Sequence, residues 1–339
     1  MRSLVLLGLV MPALLAAAGA MDVRSAKAQQ PGAWHQQDVI ELHGELHGAN
    51  CNSVFSPDGQ ELVFGNEEGV YGVRGGSVIL LAKGGQWLSL TPEGNLLIAG
   101  RRGIREMSFL AATFMHPWSN LDYDGASNIP FSPDGKLAVI NGGITASAVV
   151  LGGSKFNRVK ARITFDQCHA FSPYRGAYAR RFVFTPDGRT LIGVNTEGQI
   201  DFWGIRESSE PLQKSGVRNF PSHYYGIQLP VFTRDGHLIL SDETREGQPK
   251  MMGNVTVWDP SGTQRTIPSD PQGLFAYAKS ANVLITAKGA WDCRDWHLLQ
   301  EFQFDDHQLQ SLLAVCISED ASKLAFIKRE SVEFWQRQQ

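Results

Sequence analysis

Three stretches of this 339-residue chain collect side chains suited to recognising or transforming another molecule. FDQCHAFSPYRGAYARR (165–181) carries Tyr174, Arg175, Tyr178, Arg180 and Arg181. KSGVRNFPSHYYG (214–226) carries Phe220, His223, Tyr224 and Tyr225, and DETREGQPKMMG (242–253) carries Arg245, Lys250, Met251 and Met252. Tyr, Arg and Met are enriched where proteins meet partners, because they combine large contact area with a polar or adaptable end. The binding candidates are therefore Tyr174, Arg175, Tyr178, Arg180, Arg181, His223, Tyr224, Tyr225 and Lys250. His169, Tyr174 and His223 are also of types that move protons in a lyase or hydrolase. The plain alternative is that the three stretches fold back and cap the molecule without a ligand, since exposed Tyr and Arg are common on any surface.

Other chemistry finds less support. NLDYDG (120–125) matches the front of a calcium loop, but its twelfth position is Phe131 where a glutamate is needed, so an acidic turn is the better reading. His43 and His47 are four apart in LHGELHG, where the glycines argue against a helix that would align them on a metal. Cys51, Cys168, Cys293 and Cys316 contain no C-x-x-C pair. A disulfide between Cys51 and Cys316 and two buried thiols both remain open, the thiols being preferred. The sequon Asn254-Val255-Thr256 falls in an expected strand and is read as chance. There is no phosphate-binding loop, no H-E-x-x-H and no G-x-S-x-G. No catalytic residue, metal or cofactor is assigned.

The ends and the composition narrow the class. Arg2 is followed by an apolar run, Leu4 to Ala18, and by two small-x-small sites, Ala18-Gly19-Ala20 and Ala26-Lys27-Ala28. That is the layout of a secretory signal peptide over residues 1–28, cut after Ala20 or Ala28. The expectation is an exported protein, periplasmic or extracellular, with no stable membrane insertion after cleavage. A formal net charge of −3 gives no general reason to expect nucleic-acid binding.

The elements that must hold these residues announce themselves by repetition. FSPDG occurs at Phe55–Gly59 and Phe131–Gly135, FTPDG at Phe184–Gly188 and FTRDG at Phe232–Gly236. Weaker copies begin at Leu90, Tyr277 and Ile317. The starts are 35, 41, 53, 48, 45 and 40 residues apart. A period near 40–45 residues with several strands per unit is a propeller signature. Pro presets the first corner of each turn, Asp caps it, and Gly tolerates positive φ. The strands that follow (ELVF, NLLIA, KLAVI, TLIGV, HLIL, NVLIT, KLAFI) are almost continuously apolar, as expected for middle strands covered on both faces.

GNVTVWDPSG (253–262) and GAWDCRDWHLLQEF (289–302) resemble WD-repeat β-propeller blades, with signature dipeptides Trp258-Asp259 and Trp291-Asp292. QIDFWGI and SVEFW keep the aromatic at Trp203 and Trp335 without the Asp. The resemblance spans most of 38–336 and departs from the family in lacking most of the His and Asp of the intrablade tetrad. It implies an all-β fold over 29–339: seven blades of four antiparallel strands, held mainly by apolar packing. Asp38–Leu42 is expected to pair near Ser331–Trp335 and close blade seven. It also implies that 165–181, 214–226 and 242–253 leave one face, the top, in blades three to five. The expected function is a non-catalytic scaffold for a protein or peptide partner, with a propeller lyase or hydrolase as the alternative.

Overall fold

The computed structural model describes residues 32–42, 46, 52–66, 68–83, 87–100, 103–109, 114–117, 129–141, 147–153, 156, 158–164, 181–194, 199–219, 230–242 and 254–338. They form seven four-stranded sheets arranged as the blades of a β-propeller. Blade one is Asn52–Phe55, Leu62–Gly65, Gly69–Arg74 and Ser77–Lys83, in that order from the axis outward. Blades two, five and six repeat the order with consecutive strands, and blade four does so with Pro211–Leu212 left out between its third and fourth strands. The one α-helix among the described residues is six residues long, Asp306–Ser311. No described helix is long and apolar enough to cross a membrane.

There is no single core. Seven separate apolar clusters form, one at each seam between consecutive blades. In blade one, Leu62 and Phe64 belong to the seam with blade seven, while Val63 between them belongs to the seam with blade two. The second strand is therefore buried at every position, which is why its sequence shows no alternation.

The repeated phrase turns out to do two jobs. Inside each turn the hydroxyl of Ser56 donates to Asp58 Oδ1 at 2.5 Å, the same oxygen accepts the Gln60 N–H at 3.0 Å, and Ser56 Oγ accepts the Glu61 N–H at 2.9 Å. The pattern recurs at Ser132/Asp134, Thr185/Asp187 and Ser318/Asp320. Between blades, the phrase is a contact. A Cβ on Gly94 would lie 2.7 Å from Pro57 Cγ, and one on Gly135 would lie 2.9 Å from Pro92. Pro57, Pro92 and Pro133 thus each rest where the next blade's glycine has no side chain, whereas Gly236 of blade five faces Pro260 of its own blade. Blades six and seven lack that glycine, and Asn282 (φ 55°) and Ala321 (φ 57°) take the left-handed position instead.

Two blades depart from regularity at their inner edge, and proline is the reason in both. In blade three the inner strand shrinks to a bridge between Phe131 and Ala138, with Val139 N–H donating to Pro130 O. In blade five it is only Val231–Phe232, after Pro230. Proline has no N–H to give the ladder. Blade three also gains an edge strand: Pro211–Leu212, from the third-to-fourth connection of blade four, pairs parallel with Arg158–Thr164.

Blade seven is closed as expected, over a longer stretch. Trp34–Glu41 pairs antiparallel with Ser331–Arg337, in the register Asp38 with Phe334 and Glu41 with Ser331. Trp34 is the anchor and is 1% exposed. Its N–H donates to Gln300 Oε1 at 2.6 Å and its carbonyl accepts from Gln300 Nε2 at 2.8 Å, tying the strand to blade six as well. The Arg337 guanidinium stacks over its ring at 4.6 Å. Its buried indole N–H has no acceptor among the described residues.

Two expected outcomes follow. Trp34→Ala should lower stability by about 3–5 kcal/mol, whereas Trp34→Phe, which gives up only an unpartnered N–H and some volume, should cost under about 1.5 kcal/mol. Denaturant midpoints read both. Gly94→Ala should cost about 2 kcal/mol more than Gly76→Ala, because both residues have positive φ (83° and 77°) but only Gly94 faces a neighbour. Equal costs would rule out the proline contact.

Candidate functional site

Strand direction defines the two faces. All inner strands begin on the top face and end in the repeated turns on the bottom face. The segments flagged by the sequence are flanked by Thr164 and Arg181, by Asn219 and Pro230, and by Asp242 and Asn254. By strand order each of these positions is a top-face end, in blades three, four and five.

Most of the sequence-derived candidates fall outside the described residues: Tyr174, Arg175, Tyr178, Arg180, His223, Tyr224, Tyr225 and Lys250. So do His169, the NLDYDG string, His43, His47 and Cys51. Two placements are corrected. Gly216–Asn219, read as part of a connection, is the outer strand of blade four, paired with Gln199–Phe202, so that connection spans 220–229. Arg181, read as the end of a loop, is the first residue of the inner strand Arg181–Phe184 and is 8% exposed.

Arg181 has an unexpected neighbour. Its guanidinium carbon lies 3.8 Å from the centroid of the Trp87 ring. Trp87 opens the inner strand of blade two, so the contact spans blade three and crosses the head of the channel. Arg keeps its charge in any protein environment, and the face of an indole is the best aromatic surface for it. Nothing in the local sequence of either residue signals this pairing, because it joins positions 87 and 181.

Below that pair runs an axial channel of about 500 Å³. Every blade contributes to it, from Val54 and Leu88 through Phe131, Val183 and Val231 to Ala276 and Val315. Its titratable lining residues are Tyr277, Cys316 and Glu319. Burial pushes the Tyr277 hydroxyl up to about 12 and the Cys316 thiol up to about 12. Both are neutral at neutral pH, so neither is a ready base or nucleophile. Cys316 and Cys293 are free, buried thiols. Tyr277 works as a joint between blades: its hydroxyl accepts the Arg234 N–H at 2.7 Å and donates to Asn282 Oδ1 at 2.8 Å, and Asn282 Nδ2 reaches Asp235 at 2.9 Å.

The two WD dipeptides are present with altered roles. Asp259 and Asp292 hold the turns after their strands, accepting from the N–H groups of Thr263 and Arg294. The Trp291 and Trp335 indole N–H groups find no acceptor among the described residues, in keeping with blades held by apolar packing. Asp292, Asp295 and His297 bring three metal-capable atoms within 4.8 Å of one another. The Arg294 guanidinium already grips Asp292, with Nε 2.9 Å from Oδ1, and holds its carboxyl down to about 2. A cation would have to displace it.

Among the described top-face connections, one ties several blades together. Ser269–Leu274 joins blades five and six, and buried Asp270 accepts the N–H groups of Gln272 (2.8 Å) and Leu274 (2.9 Å) and the Ser269 hydroxyl (3.0 Å). Ser241 of blade five donates to Gln272 O, Thr286 of blade six to Pro268 O, and Gln272 Nε2 to Leu312 O of blade seven. The loop thus bolts three blades together on the face from which the long connections leave.

No family model matches the chain, and no curated protein matches its sequence. Among solved structures, 1426 chains match, so the likeness identifies an architecture and not a partner. One is a crystal structure of the mitotic checkpoint complex, with TM-score 0.63 and 13% identity over 98% of this chain and 99% of that one. At that identity the likeness shows the seven-bladed propeller fold alone.

Asp270 makes a pH signature. Burial lifts its carboxyl to about 6 against the pull of its three donors. A folded value above the unfolded value of 3.8 means the native state holds the proton longer. Stability should therefore fall as pH rises from about 4 to about 6 and level off above, by at most about 3 kcal/mol. The turn carboxylates act in the opposite sense. Asp58, Asp134, Asp187 and Asp320 are held low chiefly by Ser or Thr hydroxyls, so their contribution is lost as pH falls below about 4. Asp270→Asn should flatten the slope between pH 4 and 6 and leave the acid limb unchanged, as read by denaturant melts across that range.

Proposed function

We propose that this propeller is a binding scaffold, exported on residues 1–28, that takes a protein or peptide partner on its top face at blades three to five. The observation that carries the reading is where the chain leaves the framework. Three long connections, 165–180, 220–229 and 243–253, depart from top-face strand ends in three consecutive blades. Neighbouring blades put their connections side by side, and loops held by a rigid scaffold are where proteins concentrate recognition. Their composition is aromatic and basic, with Tyr174, Arg175, Tyr178, Arg180, His223, Tyr224, Tyr225 and Lys250. Arg181 stands at the foot of the first connection with its charge laid on Trp87. The solved neighbour described as a checkpoint complex is itself a protein assembly, which accords with this use of the fold.

The test is direct. A partner recovered on the immobilised protein is titrated against Tyr174→Ala, Arg175→Ala, Tyr224→Ala and Tyr225→Ala, with Lys136→Ala and Arg189→Ala on the bottom face as controls. Removing a central anchor should weaken binding by about 2 kcal/mol, roughly thirtyfold. If the connections carry binding and not the packing of the ring, thermal midpoints should stay near the parent's, a change of under about 0.5 kcal/mol. If all four top-face variants bind like the parent while the controls lose affinity, the site belongs on the bottom face. Localisation is checked separately: the chain expressed with its leader should be recovered outside the cytoplasm and begin at Met21 or Gln29.

A further inference from the structure

The outer edges of the blades differ in how they are guarded against another strand. An outermost strand carries unpaired N–H and C=O groups along its free side, and natural edges are blunted by charge, proline, shortness or a cover. Blade two ends in Phe114–Pro117, with a terminal proline. Blade three is covered by Pro211–Leu212. Blade four ends in four residues that include Arg218, and blade five in Gln264–Pro268, with Arg265 and a terminal proline. Blade six offers four residues ending in Glu301, and blade seven carries Asp38 and Glu41 with a register shift beside Asp38.

Blade one is the exception. Its outer strand, Ser77–Lys83, reads SVILLAK, with no proline and no charge before its last residue. Ile79 is 50% exposed and Leu80 48%, adjacent along the strand and on opposite sides of the blade. The one irregularity, Leu81, follows them and leaves Ser77–Leu80 straight. The turn that leads in is Gly75-Gly76, both at positive φ with open space around them, so no side chain blocks the approach.

We propose that this edge pairs with the same edge of a second copy of the chain, antiparallel, as a closed two-fold dimer. The occupant follows from the census of edges. Among the described outer strands Ser77–Lys83 has the longest open run free of both proline and charge, Ser77–Ala82, so a copy finds its best complement in the identical strand. Like-to-like pairing about a two-fold axis closes at two copies, whereas pairing with a different edge would run on into a filament. The strand is also its own complement. Turned antiparallel about its middle, it sets aliphatic residues opposite aliphatic residues, and the two Lys83 ammonium groups fall at opposite ends. The basic neighbour Arg74, near the start of the strand, is already neutralised by Glu61.

The experiment is sedimentation of the purified protein over a range of concentrations, alone and as Leu80→Lys and Ile79→Lys. The parent should show a concentration-dependent dimer mass. Either lysine should weaken self-association roughly tenfold or more, with the melting temperature unchanged because both side chains already face solvent. Ile79→Cys, treated with a short thiol-to-thiol crosslinker, should give a covalent dimer that the same substitution with Leu80→Lys does not. This second measurement keeps the test open if one lysine variant folds poorly. A parent that stays monomeric at the highest concentration overturns the proposal. So does a dimer indifferent to both lysines, which would place the contact elsewhere. A monomer whose Ser77–Lys83 edge instead takes up an added extended apolar peptide would make the occupant a different chain and would also refute it.

Discussion

Every blade of this molecule is covered on both faces by its neighbours, and that constraint governs the rest. A blade standing alone would expose two apolar sides. The seven clusters are seams and not interiors, so none survives if the blades beside it separate. Six seams join blades consecutive in sequence, which loop closure over some forty residues makes easy to form. The seventh joins the two ends of the chain and has no such help. The strand Trp34–Glu41 supplies what proximity cannot, because it pairs with blade seven ahead of blade one and is anchored by Trp34 in the seam between blades six and seven. Buried among Leu274, Phe302 and Phe326, and bonded through its backbone to Gln300, Trp34 fastens the first described strand to two blades at once. The backbone of Leu42 and Leu46 then continues the strand's hold on Glu330 and Arg329.

The bottom face shows the same constraint at the scale of single atoms. Blades wrap at a fixed angle only if their turns approach at a fixed distance, and from blade one to blade four the proline-on-glycine contacts set that distance. Proline is stiff and glycine empty, so the contact tolerates little drift in either direction. Where the phrase is lost, other chemistry takes over the spacing. Between blades five and six it is the chain from Arg234 through Tyr277 and Asn282 to Asp235, with His237 set edge-on to Trp296 at 5.3 Å. The seam is then tied by polar geometry and not by a proline's bulk.

Much of this could be read from the chain, and the exceptions share a cause. The number of blades, the burial of strands such as Leu62–Gly65, and the pairing of Asp38–Glu41 with Ser331–Phe334 all follow from local period and from the need to cover a free edge. The start of that strand at Trp34 was not legible, because its partner Gln300 lies 266 residues away and nothing near Trp34 names it. Arg181 looked like a loop residue because RR follows a run of Gly, Ala and Tyr; its pairing with Val194 makes it a strand residue, and its guanidinium meets Trp87, two blades off. Gly216–Asn219 was hidden for a different reason. GVRN has too few apolar positions to show a period, and only its ladder with Gln199–Phe202 makes it a strand. The parallel pairing of Pro211–Leu212 has no sequence signal at all, since two residues cannot carry one.

The channel explains why recognition chemistry is sought outside the framework. Inner-strand residues of every blade line the axis, and aliphatic and aromatic residues such as Val54, Leu88, Phe131 and Val315 predominate among them. Its two deep titratable groups, Tyr277 and Cys316, are held neutral by burial. Glu319 is the charged lining residue, and the Arg181 guanidinium is held outside the lining, 3.8 Å from the centroid of the Trp87 ring. A framework so committed to apolar packing has little polar chemistry to spare for a ligand. What polar surface it has is spent on turns and joints, as at Asp58, Asp270 and Asn282. Even a connection such as Ser269–Leu274 is drawn into this work, since it ties blades five, six and seven together.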